Sequence, residues 1–287
     1  MAKNPYYAGP VRGHFDGLRF HNTAPRTRDR TLGDVLRWQL ASDSVPWPAE
    51  IPIRKTIPDP LVSRLRATVV GHATVLIQMD GANILTDPVW SDRCSPVTFA
   101  GPKRVCAPGV AFDDLPPIHG VLLSHNHYDH LDTATLKRLV ERDDPQIVAP
   151  LGNDAIVRRA VPKARIWTGD WWTKHQLSDQ IEITILPAQH WSRRGIGDIR
   201  MALWGGHAIS GPSGTVYFAG DTPTATAASS RRSAAVSAGP ISRCCPSAPT
   251  SRAGSWSPST RTRQKPSGSC STSKPLTPSA STGASSS

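Results

Sequence analysis

The stretch that most limits what this chain can become is Gly120–Asp132, where the apolar run Val121-Leu122-Leu123 stops and Ser124-His125-Asn126-His127-Tyr128-Asp129-His130 follows at once. A run this short reads as a buried strand that delivers the loop at its end. Three histidines and an aspartate packed so closely repel one another when protonated, and make chemical sense around a cation. Neutral imidazole and carboxylate are ligands of a borderline ion such as zinc, and the i, i+2 spacing of His125 and His127 lets a turning backbone bring both to one ion. Asp129 and His130 then point elsewhere and suit a second ion nearby. Paired ions are what hydrolases use to hold a hydroxide and clamp a phosphoryl or acyl oxygen. The competing reading is a polar loop whose histidines only cap a strand.

Around this loop the pattern alternates as strands and helices do. Ala67–Gly71, Thr74–Met79 and, after an Asp80-Gly81 turn, Asn83–Thr86 read as a meander. Ser95–Pro117, punctuated by Pro and Gly, reads as a long surface loop. Asp132 or Thr133 caps a helix through Arg142 with Leu136, Leu139 and Val140 on one face. A strand Gln146–Ala149, a helix Asn153–Ala160 and a strand Arg165–Thr168 follow. Ile181–Leu186, Met201–Ser210 and Thr215–Ala219 are further strands, the last two a hairpin across Gly211-Pro212-Ser213-Gly214. The order is mixed α/β, with strands enough for two sheets. Residues 1–60, rich in Pro and Arg and helically spaced only over Thr31–Leu40, read as a wrapping arm on a domain spanning 61–221.

Two later strands end as the first does. Ile181–Leu186 runs into Pro187-Ala188-Gln189-His190, and Val216–Ala219 runs into Gly220-Asp221. If those ends share the edge of the His125 loop, His190 completes three histidines for one ion and Asp221 bridges both. Singly, each is an ordinary turn residue.

The order His-x-His-x-Asp-His, then His, then Gly-Asp-Thr resembles the metallo-β-lactamase superfamily. The longer phrases Gly71-His72-Ala73-Thr74, Leu85-Thr86-Asp87-Pro88, Gly101-Pro102-Lys103-Arg104, Asp170-Trp171-Trp172, Gln189-His190-Trp191 and Leu203-Trp204-Gly205-Gly206 resemble the family of phospholipases D that hydrolyse N-acylphosphatidylethanolamine. The resemblance runs in order over roughly residues 60–222. It implies an αββα sandwich, its second half incomplete in this chain. It also implies two zinc ions: one on His125, His127 and His190, one on Asp129 and His130, with Asp221 between. Asp129, Asp221 and His130 are the implied catalytic groups, and a phospholipid or another small ester the implied substrate. A lactone or other ester on the same metals is the alternative. His72 is expected to support the site from beneath, and His119, His175 and His207 to be structural or surface residues. Trp171, Trp172, Trp191 and Trp204 suit packing or an acyl groove. Lys103 and Arg104 suit a solvated loop or a lipid phosphate.

Charge draws a boundary at Thr222. The formal net charge is +11, yet residues 222–287 carry eight of the 33 basic residues and none of the 22 acidic ones. The body is therefore close to neutral, which argues against a specific nucleic-acid site. A basic tail that binds nucleic acid or anionic membrane weakly is the non-enzymatic alternative. No apolar run spans a bilayer and the first residues lack a signal-peptide core, so the expectation is a cytoplasmic protein with possible peripheral membrane contact. Five cysteines without paired spacing are expected as reduced thiols.

The family pattern calls for one more histidine after Asp221, and none exists. The tail, rich in Ser, Ala, Pro and Thr, cannot extend a core. Writing Ile241–Trp256 in GC-rich codons and regrouping the bases yields a strand-like Leu-Ala-Leu-Leu-Pro-Ile-Gly. The codons of Ser281–Ala284 likewise hide a His-Trp-Gly. Residues 222–287 are accordingly read as out of frame.

Overall fold

Strands buried on both faces read as short continuous apolar runs, and Val75–Ile77, Ile84–Leu85, Val121–Leu122 and Ile147–Ala149 are such runs here. The computed structural model describes residues 3–23, 33, 37, 48–222 and 241–244. In it β1 (Arg66–Gly71), β2 (Thr74–Met79) and β3 (Ala82–Thr86) form an antiparallel meander. To this, β4 (Gly120–Leu122), β5 (Gln146–Pro150) and β6 (Ile166–Gly169) add in parallel, giving one six-stranded sheet in sequence order. Every residue of β2 and β3 is buried. Because successive side chains point to opposite faces, Val75, Ile77, Ile84, Leu122 and Val148 enter one apolar cluster. Leu76, Leu85, Val121, Ile147 and Ala149 enter the other.

The second sheet holds β7 (Lys174–Gln176), β8 (Glu182–Leu186), β9 (Gly206–Gly211), β10 (Gly214–Phe218) and β11 (Ile241–Cys244), in the order β11-β10-β9-β8-β7. Its ladders are antiparallel except for β10 with β11. Ile183, Ile185, Ile209 and Val216 meet the first sheet, and Phe15, Phe20, Trp171 and Trp204 fill the space beside them. On the first sheet's other face, α1 (Thr133–Asp143) and α2 (Asn153–Ala160) bury Leu136, Leu139, Ile156 and Val157. Helix, sheet and sheet are thus three layers of the expected αββα sandwich; the fourth is not among the described elements.

Local chemistry explains where elements start and stop. Asp80 and Gly81 both take left-handed backbone, φ 47° and 76°, as a two-residue hairpin turn requires. Asp132 rather than Thr133 caps α1: its Oδ1 accepts from the backbone N–H groups of Ala134 and Thr135 at 3.1 and 3.3 Å. Its Oδ2 accepts from Ser91 N–H at 3.0 Å, so the same carboxylate ties the chain after β3 to the helix.

Two expectations need correction. The strand anticipated over Met201–Ser210 begins only at Gly206. Leu203 and Gly205 instead donate to the carbonyls of Leu151 and Ser124, which belong to turns of the first sheet. β7 was not anticipated because Lys174-His175-Gln176 has no apolar residue; it lies at the sheet's edge and pairs with β8 alone, where polar strands are tolerated. The helical spacing over Thr31–Leu40, of which Gly33 and Arg37 are described, otherwise lies outside the described residues. So does the tail read as out of frame, apart from Thr222 and Ile241–Cys244.

His207 on β9 is wholly buried and stacked on Phe218, and neither ring nitrogen has a hydrogen-bond partner among the described residues. Burial pushes its pKa down to about 3. The folded chain therefore keeps it neutral while the unfolded chain takes up a proton below about pH 6.5, so acid costs stability at up to about 1.4 kcal/mol per pH unit. His207→Leu removes an unpartnered polar group. It is expected to raise stability at neutral pH and to flatten the acid slope of metal-free protein in urea unfolding. Equal slopes in the two proteins would contradict this account.

Candidate metal centre

Four segments meet because the strands that carry them end at one edge. β3 delivers Asp87, β4 the Ser124–His130 loop, β8 His190, and β10 Asp221. The approach is close enough to dictate residue type. Gly220 has φ 59°, and a Cβ there would lie 2.7 Å from that of Ser124, so glycine is required. His190 is held from the N-terminal segment: Asn22 Nδ2 donates to its carbonyl at 2.9 Å, and Asn22 Oδ1 accepts from its N–H at 3.2 Å.

The six predicted site residues lie together in two overlapping groups. His125 Nε2 is 2.8 Å from His127 Nδ1, and His190 Nε2 is 3.2 Å from each. The rings of His127 and His190 stand edge-on to that of His125, at 82° and 79°. The second group holds His130 and Asp129, joined by His72, whose Nε2 is 3.2 Å from Asp129 Oδ2 and 3.3 Å from His130 Nε2. Asp221 faces both: Oδ1 is 3.3 Å from His130 Nε2 and Oδ2 is 3.9 Å from His190 Nε2.

Hydrogen bonding decides which nitrogens are bare. Ser124 Oγ donates its only proton to Asp87 Oδ2 at 2.5 Å, so it can only accept from His125 Nδ1, 2.9 Å away. His125 Nε2 is then a lone pair aimed at the other two histidines. His130 Nδ1 donates to Asp87 Oδ2 at 2.7 Å, which turns its Nε2 toward His72, Asp129 and Asp221. His127 Nε2 is buried without a partner. Three imidazoles converging on one point cannot satisfy each other with the single proton each carries, whereas a cation satisfies all three, so the donor set fits a metal.

Electrostatics point the same way. Burial lowers His125 far below the usual histidine range, with the neighbouring histidines adding to it, and lowers His127; it takes His190 down to about 4. All three are neutral ligands at pH 7. Burial also opposes charge on His130, but its hydrogen bonds to Asp221 and Asp87 outweigh this and hold its pKa up at about 10. For Asp129 and Asp221 burial raises the pKa. Contacts with His72 and His130 at Asp129, and with His130 at Asp221, reverse this, and both stay ionised.

A second layer fixes the loop. Arg194 Nη1 donates to the carbonyls of Asn126 and Leu131 at 3.1 and 2.8 Å, and its guanidinium lies over the Tyr128 ring. Beside His127 opens a groove of about 500 Å³, lined by Trp191, Arg193, Arg194 and Ile196 among others. Trp171 and Trp204 are core residues whose indole N–H groups donate to the Trp204 and Ala188 carbonyls, while Trp172 and Trp191 are exposed. Arg104 is structural, donating to the carbonyls of Ser91 and Val89. His119 accepts from Asn83 N–H, and His175 stacks on Trp167. His72 departs from the reading that set it beneath the site: it sits half exposed at the rim. Asp87 went unrecognised, although it too is an acid delivered by an apolar strand.

Asp87→Asn keeps the volume but replaces one of the two acceptor oxygens with a donor NH2, so Ser124 N–H, Ser124 Oγ–H and His130 Nδ1–H can no longer all be accepted. Zinc affinity is expected to fall about 10–100-fold with the far-UV spectrum unchanged, measured by competition with a chromophoric chelator. Unchanged affinity would show that Asp87 does not orient the donors. Because His130 holds a proton at pH 7, zinc binding is expected to release about one proton per chain, read by calorimetry in buffers of different ionisation enthalpy; no dependence on buffer would contradict this.

Comparison with known proteins agrees with the geometry. The Beta-lactamase superfamily domain matches residues 82–238, more than half of the 287-residue chain. An uncharacterised protein of Mycobacterium tuberculosis is 40% identical over 201 residues, 68% of this chain and 53% of that protein. An N-acyl-phosphatidylethanolamine-hydrolyzing phospholipase D of Caenorhabditis elegans is 37% identical over 67% of this chain and 56% of its own length. The chain thus spans about half the length of these relatives. The crystal structure of an isothiocyanate hydrolase from Delia radicum gut bacteria is similar over 59% of this chain and 67% of its own, at 25% identity and a TM-score of 0.46. With the His125 loop, His190 and Asp221 all inside the matched span, the chain belongs to the beta-lactamase superfamily.

Proposed function

We propose that this chain is a metal-dependent hydrolase of phosphodiester bonds, acting on an N-acylated phospholipid with two zinc ions. The observation that carries the reading is Asp221, whose two oxygens face the two histidine groups separately. His125, His127 and His190 would hold one ion, Asp129 and His130 the other, and Asp221 both. When bound, such a pair supplies Lewis acidity, bringing the pKa of water toward neutrality and offsetting charge on phosphoryl oxygens.

The protein's own groups do the rest. Asp129 is 41% exposed and kept ionised by its neighbours, so it is available as an anionic donor to the second ion. In the groove, Trp191 and fully exposed Ile196 offer apolar surface to an acyl chain, with Arg193 close by for a phosphate. Phe99 and Val97, also exposed, suit shallow contact with a lipid surface; no helix among the described residues is long and apolar enough to cross a membrane. The likeness to the nematode phospholipase D supports the substrate class.

The purified chain loaded with zinc is expected to release N-acylethanolamine from N-acylphosphatidylethanolamine, and to lose this activity on chelation and in His190→Ala. Turnover of a lactone with no action on the phospholipid would favour the ester-hydrolase alternative. We also propose that residues 222–287 are read out of frame, supported by the absence of acidic residues after Asp221. Resequencing the gene should reveal an inserted or deleted base near the codon of Thr222; an intact frame would refute it.

A further inference from the structure

We infer that His72 is a metal ligand, its Nε2 joining Asp129 and His130 to form the donor set of the second cation. The inference rests on the two-cation reading above and assigns to this chain a donor from the N-terminal side of the His125 loop. His72 Nε2 lies 3.2 Å from Asp129 Oδ2 and 3.3 Å from His130 Nε2. Donor atoms of the three residues all fall within 4.8 Å of one another, as do those of His125, His127 and His190. Zinc takes four ligands. His72, Asp129 and His130 supply three, and Asp221, which groups with His125 and His130 and lies 3.3 Å from His130 Nε2, stands beside them as the shared fourth.

The backbone and the site's hydrogen bonds give the same assignment. Gly71 pairs with Thr74, which leaves His72 and Ala73 as the two residues of the β1–β2 turn. His72 has φ 44°, left-handed backbone where glycine, asparagine or aspartate is the usual choice. A half-exposed histidine–carboxylate contact is a weak stabiliser and does not account for an imidazole at a strained turn. The turn is held in place from below: Thr74 Oγ1 donates to the Asp87 carbonyl at 2.7 Å, and Thr86 Oγ1 donates to the Ala73 carbonyl at 2.8 Å. The same Asp87 orients His130, so both imidazoles of the second set are positioned by one strand end.

The test is zinc content and cobalt(II) visible absorption of the full chain and of His72→Asn and His190→Ala. Asparagine tolerates the left-handed backbone, and urea unfolding of the metal-free proteins checks that the turn survives. The wild type is expected to bind two ions and His72→Asn one, its second-site affinity reduced by at least about 100-fold. The cobalt band of the second site should vanish in His72→Asn and persist in His190→Ala. Two ions of wild-type affinity in His72→Asn, or a single wild-type ion that His190→Ala removes and His72→Asn keeps, would overturn the assignment. A wild type that binds no ion would instead overturn the two-cation reading on which it rests.

Discussion

A single buried carboxylate organises this centre. Asp87 has no exposed surface, and it accepts from Ser124 N–H, Ser124 Oγ–H and His130 Nδ1–H. Through Ser124 it determines which nitrogen of His125 is bare; directly, it turns His130 Nε2 toward the other donors. One histidine of each donor set is therefore oriented by one aspartate. A charge this deep is tolerated only when fully hydrogen-bonded, and the backbone there is also held at φ 34°. Parallel pairing makes it possible: Asp87 N–H donates to Leu122 O at 2.8 Å, which sets the acid beside Ser124.

The frame around it is stiff because both faces of the first sheet are covered. Helices α1 and α2 close one face, and the second sheet with Phe15 and Phe20 closes the other. Loops at the strand ends are fastened separately, the His125 loop by Arg194 and the turn after β3 by Asp132. His190 follows β8 of the second sheet and is clamped by two hydrogen bonds to Asn22, so donors delivered by two sheets are held at one place. The groove beside His127 is left open on a segment whose Ile196 is entirely in solvent.

Much of this was legible in the residues. Short strand-like runs broken at the Asp80-Gly81 turn revealed β1 to β3, and an aspartate before a 3.6-residue period revealed α1. The habit of apolar strands ending in a ligand-type residue pointed to His190 and Asp221. The same habit applied to Ile84–Asp87, but Asp-Pro also spells a turn, and a buried acid looks like an exposed one until the strand beside it is known. Asn22 could not be found this way, since it meets His190 across 168 residues with no pattern between them. Nor does Phe15 or Phe20 advertise that it fills the gap between sheets. The false start of β9 at Met201 has a simple cause: Met-Ala-Leu-Trp is apolar because it is buried in a turn, and burial alone does not specify a strand.

The central claim is that two donor sets, shared by Asp221, hold two cations at one edge of the sandwich. Anomalous diffraction at the zinc edge from crystals grown with zinc tests it most directly. The account predicts two peaks roughly 3.5–4 Å apart, one against His125, His127 and His190 and one against Asp129 and His130. A single peak away from both sets, or none, would contradict it.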